Sequence, residues 1–196
     1  MTFATVPLTS QATHSAVHRA SAPAAVELRQ ATAGDVAAIH QLIADHVRSD
    51  HLLPRTEDEI ASRIARFVVG EADGAVVACA ELAPLSAAVA EVRSLVVAEH
   101  VRGIGVGRLI LDALVRHAVA NGHQRLCAFT HGPAYFIRLG FSIVPHLWVP
   151  EKVFTDCVEC PLFRTCGQHA VVLALDERQL RLTTKRLGNG TEERVA

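Results

Sequence analysis

The chain has 196 residues, with 19 Lys and Arg against 20 Asp and Glu, and 50% of its residues are hydrophobic. This size and composition predict one compact soluble domain. A formal net charge of −1 provides no basic surface field, so neither nucleic acid nor an anionic membrane is expected as a partner. Five cysteines, an odd number in a chain without a secretory hydrophobic segment, indicate a reducing compartment, and we expect the cytoplasm.

The two ends of the chain differ in composition from the region between them. Residues 1–25 contain no acidic residue and one base, Arg19. They predict a disordered extension rather than a transit peptide, which would need several arginines at helical spacing. Residues 176–196 alternate charges and predict a solvated tail, with a short helix as the alternative. The predicted folded domain therefore covers residues 26–175.

Strand and helix signals alternate through this domain. A short strand at 26–29 precedes two helices, each opened by a capping box, at Thr32–Asp35 and Thr56–Glu59. The remaining predicted elements are a hairpin of strands 67–72 and 74–82 turning at Asp73–Gly74, a strand at 87–97, a helix ending at Asn121–Gly122, a strand at 124–130, a helix at 133–139, and strands at 141–144 and 170–175. We see no repeat and no second core, so the pattern predicts one α/β domain.

Three glycines, Gly103, Gly105 and Gly107, lie between a predicted buried strand and the start of a helix. Glycines allow consecutive backbone N–H groups to converge on one point, and a helix N-terminus attracts anions, so this segment predicts a phosphate site. Arg102 adds a positive side chain that suits a pyrophosphate. The segment lacks the Lys-Ser or Lys-Thr of a P-loop and the last glycine of a dinucleotide fingerprint. The alternative is that the glycines only close a tight turn.

The segment Arg102-x-x-Gly105-x-Gly107 follows the strand Glu91–Val97 and precedes a helix, a strand and Tyr135–Phe141. This order resembles the GNAT superfamily of acyl-CoA-dependent N-acyltransferases over residues 26–175. The resemblance implies a mixed, mostly antiparallel sheet flanked by helices, acetyl-CoA as cosubstrate, and a homodimer, since superfamily members are often dimers. It also implies that the strands 87–97 and 124–130 splay apart to admit the cofactor. The implied cofactor-binding residues are Leu95, Val96 and Val97 through their main chain, and Arg102, Gly103, Ile104, Gly105, Val106, Gly107 and Arg108 at the pyrophosphate.

A closer resemblance is carried by residues 52–56, 90–97, 128–130 and 135–141, followed by Pro150-x-Lys152-Val153. These segments are similar to the short, stand-alone N-acetylglutamate synthases, which acetylate the α-amino group of L-glutamate at the first step of arginine biosynthesis. Longer relatives carry an amino-acid-kinase-like domain that confers arginine inhibition. This chain leaves no room for that domain, so we expect that regulatory site to be absent. The alternatives are acetylation of glutamine or another small amine, and a non-catalytic acetyl-CoA sensor.

The resemblance nominates two catalytic residues. Glu91 lies in a largely apolar strand and is the predicted general base, acting directly or through water; the alternative is simple pairing with Arg93, which shares its strand face. Many superfamily members carry a tyrosine general acid where this chain has Phe136, and Tyr135 points about a quarter turn away. Thr130 matches a hydroxyl of the glutamate-acetylating relatives and is the predicted proton donor, with capping of the next turn as the alternative.

Three residues form the predicted substrate-binding set. The planar fork of Arg93 suits one carboxylate of a dicarboxylate amino acid, and Arg55 suits the other. Ser94, next to Arg93, completes the set. An ordinary surface arginine is the alternative for each arginine.

A cysteine-rich loop covers residues 157–169. Cys157, Cys160, Cys166 and His169 form two short knuckles of the ligand types that tetrahedral zinc prefers. The gap between the knuckles is shorter than in most structural zinc sites, so free thiols or a redox-sensitive loop are favoured over zinc. Cys79 and Cys127 lie in apolar strands and are predicted to be small core residues.

Overall fold

The computed structural model describes residues 25–47 and 52–176, and the predicted extension and tail lie outside this part of the chain apart from Ala25 and Asp176. The strands are β1 (Glu27–Gln30), β2 (Phe67–Ala72), β3 (Ala75–Pro84), β4 (Val89–Val97), β5 (Arg125–Thr130), β6 (Ser142–Val144) and β7 (His169–Ala174). The helices are α1 (Val36–His46), α2 (Glu57–Ser62), α3 (Val106–Ala120), α4 (Pro133–Arg138) and α5 (Pro150–Lys152), which continues into a π-helical turn, Val153–Cys157.

The strands form one seven-stranded sheet in the order β1-β2-β3-β4-β5-β7-β6. All neighbouring strands are antiparallel except β4 and β5, which are parallel. Helix α3 packs on β2, β3 and β4, and α1 packs on β3 and β4. The predicted mixed, mostly antiparallel sheet flanked by helices is therefore confirmed. Among the described residues, no helix is long and apolar enough to cross a bilayer.

Both predicted capping boxes form. Thr56 accepts a hydrogen bond from the Glu59 N–H at 3.2 Å, and the Glu59 carboxylate accepts one from the Thr56 N–H at 3.0 Å. At the first box the Thr32 N–H donates to Asp35 at 2.7 Å. Two N–H groups of Arg29 also bind the Asp35 carboxylate at 2.8 Å and hold its pKa well below the ordinary value. These contacts satisfy backbone donors that a helix start leaves unpaired.

Two chain reversals position the central sheet and α3. Asp73 and Gly74 adopt left-handed backbone angles, with φ of 51° and 76°, as a tight hairpin between β2 and β3 requires. Strand β4 begins at Val89, two residues later than predicted, because the N–H groups of Leu85 and Ser86 both bind the Val89 carbonyl in a turn. The apolar stripe Ile110, Leu114 and Ala118 of α3 is completely buried, which fixes the helix across the strands.

Candidate active site

The central feature of the site is a gap in the sheet. Strands β4 and β5 pair over three residue pairs only, from Val89 with Arg125 to Glu91 with Cys127. Beyond these pairs the two strands separate, which confirms the predicted splaying, and a cavity of about 1020 Å³ opens between them. We call this cavity the donor slot. The facing strand edges leave backbone N–H and C=O groups that an amide-containing ligand can pair with.

The glycine loop forms one end of the donor slot. Gly103 and Gly105 have φ of 82° and 94°, a left-handed conformation that side chains with a Cβ rarely adopt, and Gly105 is the N-cap of α3. The Arg102 side chain donates to the Val97 carbonyl at 2.8 Å, which ties the loop to the end of β4. The loop therefore presents the positive end of a long helix to the slot.

The predicted cofactor-binding residues separate into two groups. Those lining the slot are Leu95, Val97, Arg102, Gly103, Gly105, Val106, Gly107 and Arg108. Val96 is buried in the core and the Ile104 side chain is exposed, and neither residue lines the slot. This division follows from the alternation of side chains along a strand and from the turn of the loop.

A bulge in β4 lies at the inner end of the slot. The pairing of β3 with β4 shifts between Cys79 and Glu81, so that Ser94 and Leu95 together oppose one residue of β3. Ser94 has a φ of 49°, and its carbonyl oxygen accepts a hydrogen bond from the Cys79 thiol, with a distance of 3.6 Å from the sulfur to the oxygen. The bulge turns β4 away from β5 where the strands separate.

A second cavity, of about 390 Å³, adjoins the donor slot and is called the acceptor pocket below. The residues that line both cavities are Leu52, Ser94, Phe129, Thr130 and His131. Thr130 ends β5, and its hydroxyl oxygen accepts a hydrogen bond from the Gly132 N–H at 3.0 Å, so capping of the following turn, the alternative to the predicted role as proton donor, is observed. Because this hydroxyl lies at the junction of the two cavities, its proton can be donated to a group in either one.

Four charged side chains form a network in the wall of the acceptor pocket. Glu91 is 3% exposed, and its Oε2 accepts hydrogen bonds from Arg93 Nε at 2.5 Å and from Lys152 Nζ at 2.9 Å. Asp156 Oδ2 accepts from Lys152 at 2.8 Å and also from Arg93 Nη2. The alternative reading of Glu91 as a partner of Arg93 is thus observed, and both residues line the pocket.

The network shifts the pKa of two of its members, Arg93 and Asp156. Burial acts to lower the pKa of Arg93, but the charges of Glu91, Asp156 and Glu81 outweigh it and raise that pKa. Burial acts to raise the pKa of Asp156, but its bonds to Lys152 and Arg93 outweigh it and lower that pKa. Both groups therefore carry full charge at neutral pH.

Arg55 reaches the same pocket from the chain segment that leads into α2. Its side chain is 15% exposed and lies 3.5 Å from the carboxylate of Glu81, a buried residue of β3. Arg55, Arg93 and Ser94, the predicted substrate-binding set, all line the acceptor pocket although they are up to 39 positions apart in the chain. The fold thus brings the predicted substrate residues together.

Sequence reasoning missed three members of this region. Lys152 and Asp156 were not among the predicted site residues, although their i,i+4 spacing on one helical turn was a signal that both face one side. Tyr135 lines the donor slot, and burial raises its pKa to about 12. A Cβ built on Gly107 would lie 2.8 Å from the Tyr135 hydroxyl, so a larger residue at position 107 would force the Tyr135 side chain to shift. Phe136 is buried against Tyr135 and Phe141, in edge-to-face contacts.

The cysteine loop does not assemble as a metal site. Within residues 25–47 and 52–176, no three His, Cys, Asp or Glu side chains are placed to hold a metal ion, so Cys157, Cys160, Cys166 and His169 form no such group. His169 belongs to β7, where it pairs with Thr130, while the three cysteines lie before that strand. All five cysteines are free, and Cys79 and Cys127 are buried core residues as predicted.

Comparison with known proteins identifies the family. The acetyltransferase (GNAT) family matches residues 34–141. The chain belongs to the GNAT acetyltransferases. The matched region contains β4, the glycine loop, α3, β5 and α4, which together build the donor slot, and the protein is an N-acetyltransferase that uses acetyl-CoA.

Relatives of this GNAT acetyltransferase include amino-acid acetyltransferases. An uncharacterized N-acetyltransferase of Chlorobaculum tepidum is 28% identical over 76% of this chain and 96% of its own length. An amino-acid acetyltransferase of Mycobacterium tuberculosis is 30% identical over 66% of this chain and 75% of its own length. One from Ralstonia nicotianae is 36% identical over 58% of this chain, which spans only 26% of that longer protein.

Among solved structures, the N-acetylglutamate synthase of Neisseria gonorrhoeae in complex with coenzyme A and N-acetyl-glutamate matches with a TM-score of 0.70 and 27% identity. The match covers 79% of this chain and 36% of the gonococcal chain. A Mycobacterium tuberculosis protein in complex with CoA matches with a TM-score of 0.66 over 76% of this chain and 98% of its own, and its 24% identity supports the shared fold.

Proposed function

We propose that this GNAT enzyme transfers the acetyl group of acetyl-CoA to the α-amino group of L-glutamate. The observation that carries the proposal is the acceptor pocket, in which Arg55, Arg93 and Lys152 converge beside the inner end of the donor slot. A dicarboxylate amino acid needs two anion-binding groups and an amine held near the thioester. The similarity to amino-acid acetyltransferases and to a gonococcal N-acetylglutamate synthase supports the same substrate class.

The charge of the pocket favours an acceptor with net negative charge. Its lining contains four cations, Arg55, Arg63, Arg93 and Lys152, against three carboxylates, Glu59, Glu91 and Asp156. The excess of one positive charge complements glutamate, which carries a net charge of −1 at neutral pH. A cationic amine would meet repulsion, and glutamine would leave the excess charge unpaired.

Hydrogen-bond donors remain available for the substrate carboxylates. Arg93 uses Nε and Nη2 for Glu91 and Asp156, and no described residue accepts a bond from its Nη1. Lys152 uses two of its three N–H groups for the same two carboxylates. In this proposal the remaining donors, with the Arg55 guanidinium, bind the two carboxylates of glutamate.

Glu91 is the proposed base. Both of its hydrogen bonds are accepted by Oε2, and Oε1 accepts none from the described residues. Oε1 removes a proton from the substrate ammonium, directly or through a water molecule, and the neutral amine then attacks the thioester carbonyl. A backbone N–H of Leu95–Val97 stabilises the negative charge that develops on the carbonyl oxygen.

Thr130 is the proposed proton donor for the departing CoA thiolate: its hydroxyl passes a proton to the sulfur and takes one from the nitrogen of the tetrahedral intermediate, which loses that proton as the C–S bond breaks and the amide forms. The hydroxyl oxygen already accepts the Gly132 N–H, which leaves its own O–H free to donate. The pantetheine arm pairs with the free edge of β4, and the pyrophosphate binds the loop Gly103–Arg108 and the N-terminus of α3. Charge-assisted bonds from Arg102 and Arg108 add to this site.

The proposal also assigns a cellular setting. Acetylation of glutamate is the first step of arginine biosynthesis. The five free cysteines favour a reducing compartment, which supports the cytoplasm. The homodimer stays a prediction, and sedimentation equilibrium of the purified protein tests it.

The deciding experiment measures CoA release from acetyl-CoA with glutamate, glutamine, aspartate and a set of small amines, with the product identified by mass spectrometry. We expect glutamate to give the highest kcat/KM. Arg93→Met should raise the KM for glutamate far more than the KM for acetyl-CoA. Preferred turnover of glutamine or another amine would overturn the glutamate assignment and keep the reaction. Tight acetyl-CoA binding without any turnover would support a sensor instead.

A further inference from the structure

Glu81 is the most deeply buried of the carboxylates that the mechanism above does not use. Glu81, in β3, is 1% exposed, and neither of its carboxylate oxygens has a hydrogen-bond partner. An ionised carboxylate removed from water without hydrogen bonds is strongly destabilising unless nearby positive charge compensates it. The cationic side chains around Glu81 are therefore the groups that its carboxylate can stabilise.

Three arginines surround this carboxylate. Arg55 Nη2 lies 3.5 Å from Oε2, and Arg66 Nη1 lies 4.0 Å from Oε1. Arg93 is directly opposite Glu81 in the register of β3 with β4, and the charge of Glu81 contributes to the raised pKa of Arg93. Glu81 is thus held by charge attraction at distances longer than a hydrogen bond.

Glu81 and Glu91 have different relations to the acceptor pocket. Glu91 lines the pocket and is hydrogen-bonded at 2.5 and 2.9 Å. Glu81 does not line the pocket and contacts the cations behind the pocket wall. Glu81 therefore does not contact a substrate directly, and it can affect substrate binding only through the arginines with which it interacts.

Arg55 is the residue through which Glu81 can act. It lies in the segment Leu52–Thr56, which has no helix or strand of its own, and its side chain is 15% exposed in the pocket wall. Within the described residues, Glu81 is the ion-pair partner of Arg55. A long side chain on an irregular segment has many rotamers, and a fixed charge beside it reduces the conformational entropy lost when it binds a ligand.

We propose that Glu81 is a positioning residue for acceptor binding: it holds the Arg55 guanidinium at the pocket wall, with its remaining N–H groups directed to a substrate carboxylate. The long ion pair suits this role, because Arg55 retains its hydrogen-bond donors for the substrate. The inference rests on the proposed function to the extent that the acceptor carries a carboxylate. It deepens that function by placing one determinant of acceptor affinity outside the pocket.

The test is the near-isosteric variant Glu81→Gln, which removes the charge and keeps the volume. We expect the KM for the acceptor to rise about fivefold to tenfold, while kcat and the KM for acetyl-CoA change by less than about twofold. Arg66→Gln is the matched control, since it removes the other cation near the same carboxylate, and Arg66 does not line the acceptor pocket. We expect that variant to leave the acceptor KM unchanged.

A double-variant cycle distinguishes positioning from a structural role. If Glu81 acts through Arg55, Glu81→Gln adds no further rise in acceptor KM to an enzyme that already carries Arg55→Gln. A structural role would instead lower the melting temperature and kcat, change both KM values together, and add fully to Arg55→Gln. Either that pattern or an unchanged acceptor KM in Glu81→Gln overturns the proposal.

The acceptor used in these assays is the one that the wild-type enzyme turns over fastest. If that acceptor is another amino acid with a carboxylate, the glutamate assignment fails, and the role of Glu81 is still tested by the same KM values. If it is an amine without a carboxylate, or if nothing is turned over, both proposals are overturned.

Discussion

The donor slot and the acceptor pocket share five lining residues, yet they are built from different parts of the chain. About half of the residues lining the slot lie in one nearly continuous segment, from Ser94 to Arg108, and most of the others belong to the end of β5 and to α4. The acceptor pocket is formed by side chains from the segment before α2, from β4, from β5 and from the turn at 150–157. A site that depends on local backbone geometry can be recognised from consecutive residues of the sequence. A site made of side chains that are distant in sequence depends on the whole fold.

The largest effect is expected from Gly105→Val, which distorts the backbone of the glycine loop at the donor slot. Gly105 has a φ of 94°, so a branched side chain strains the N-cap of α3 and obstructs the phosphate position. We expect the KM for acetyl-CoA to rise about a hundredfold, which corresponds to the loss of one or two hydrogen bonds to charged groups.

Gly122→Val is the control for this variant. Gly122 has a φ of 80°, and no atom lies within 4 Å of a Cβ built there, so the backbone strain is similar while the slot is distant. Equal effects of the two variants on the KM for acetyl-CoA would show that the glycine loop acts only as a turn.

A smaller effect, confined to the other cavity, is expected from Lys152→Met. The variant removes the ammonium group that binds Glu91 and Asp156, and keeps much of the apolar side chain. We expect the acceptor KM to rise about tenfold, as for the loss of one charged hydrogen bond, with the KM for acetyl-CoA unchanged. Arg125→Met, which breaks the neighbouring ion pair with Glu151 at 3.3 Å, should leave both KM values unchanged. A rise in both KM values in Lys152→Met would mean that the two cavities are not independent.

A pair of substitutions tests the contact between the slot and α4. Gly107→Ala places a methyl group 2.8 Å from the Tyr135 hydroxyl, which is too close for any real contact. We expect the KM for acetyl-CoA to rise about threefold to fivefold and the free energy of unfolding to fall by about 1–3 kcal/mol, as for overpacking. Adding Tyr135→Phe removes the hydroxyl. The double variant should recover most of the affinity for acetyl-CoA and most of the free energy of unfolding. Simple addition of the two effects would contradict a direct clash.

The smallest effect, on stability alone, is expected from Asp35→Asn, which lies outside both cavities. Arg29 holds the folded-state pKa of Asp35 below its ordinary value, so the carboxylate stabilises the fold above about pH 4 and loses that contribution as the pH falls below it. We expect the variant to lose about 1 kcal/mol at pH 7, as for a lost cap, and progressively less below pH 4, with both KM values unchanged. Thermal unfolding at several pH values measures this, and a difference that grows on acidification would contradict it.

The sequence predicted the elements well because their signals are local. Capping boxes at Thr32 and Thr56 and the hairpin glycine at position 74 each occupy a few consecutive residues, and the seven strands begin and end within two residues of prediction. Helix α5 and the π-helical turn after it were not predicted. The glycine loop was also a local signal, whereas the gap between β4 and β5 followed from the family resemblance. Both features depend on the conformation of the backbone rather than on contacts between distant side chains.

The charged network of the acceptor pocket could be predicted only in part. Glu91, Arg93 and Arg55 stood out as charges in or beside apolar segments, but Lys152 lies 61 positions after Glu91 in an irregular region. Glu81 is also a single charge in an apolar strand, but its role could not be predicted because its partners come from separate elements. The cysteine spacing matched a zinc pattern while the fold placed His169 in a strand, which shows that spacing alone does not fix ligand geometry.

The brief pairing of β4 with β5 has an evolutionary consequence. Three residue pairs join the two halves of the sheet, and past them the donor slot is lined by β4, the glycine loop, the end of β5 and α4. Substitutions in the turn at 150–157 or at Pro54 and Arg55, which line the acceptor pocket and not the donor slot, are therefore expected to change which amine is accepted while the CoA site stays unchanged. Gene duplication followed by drift in those two segments would give this lineage new acceptors without the loss of its acetyl donor.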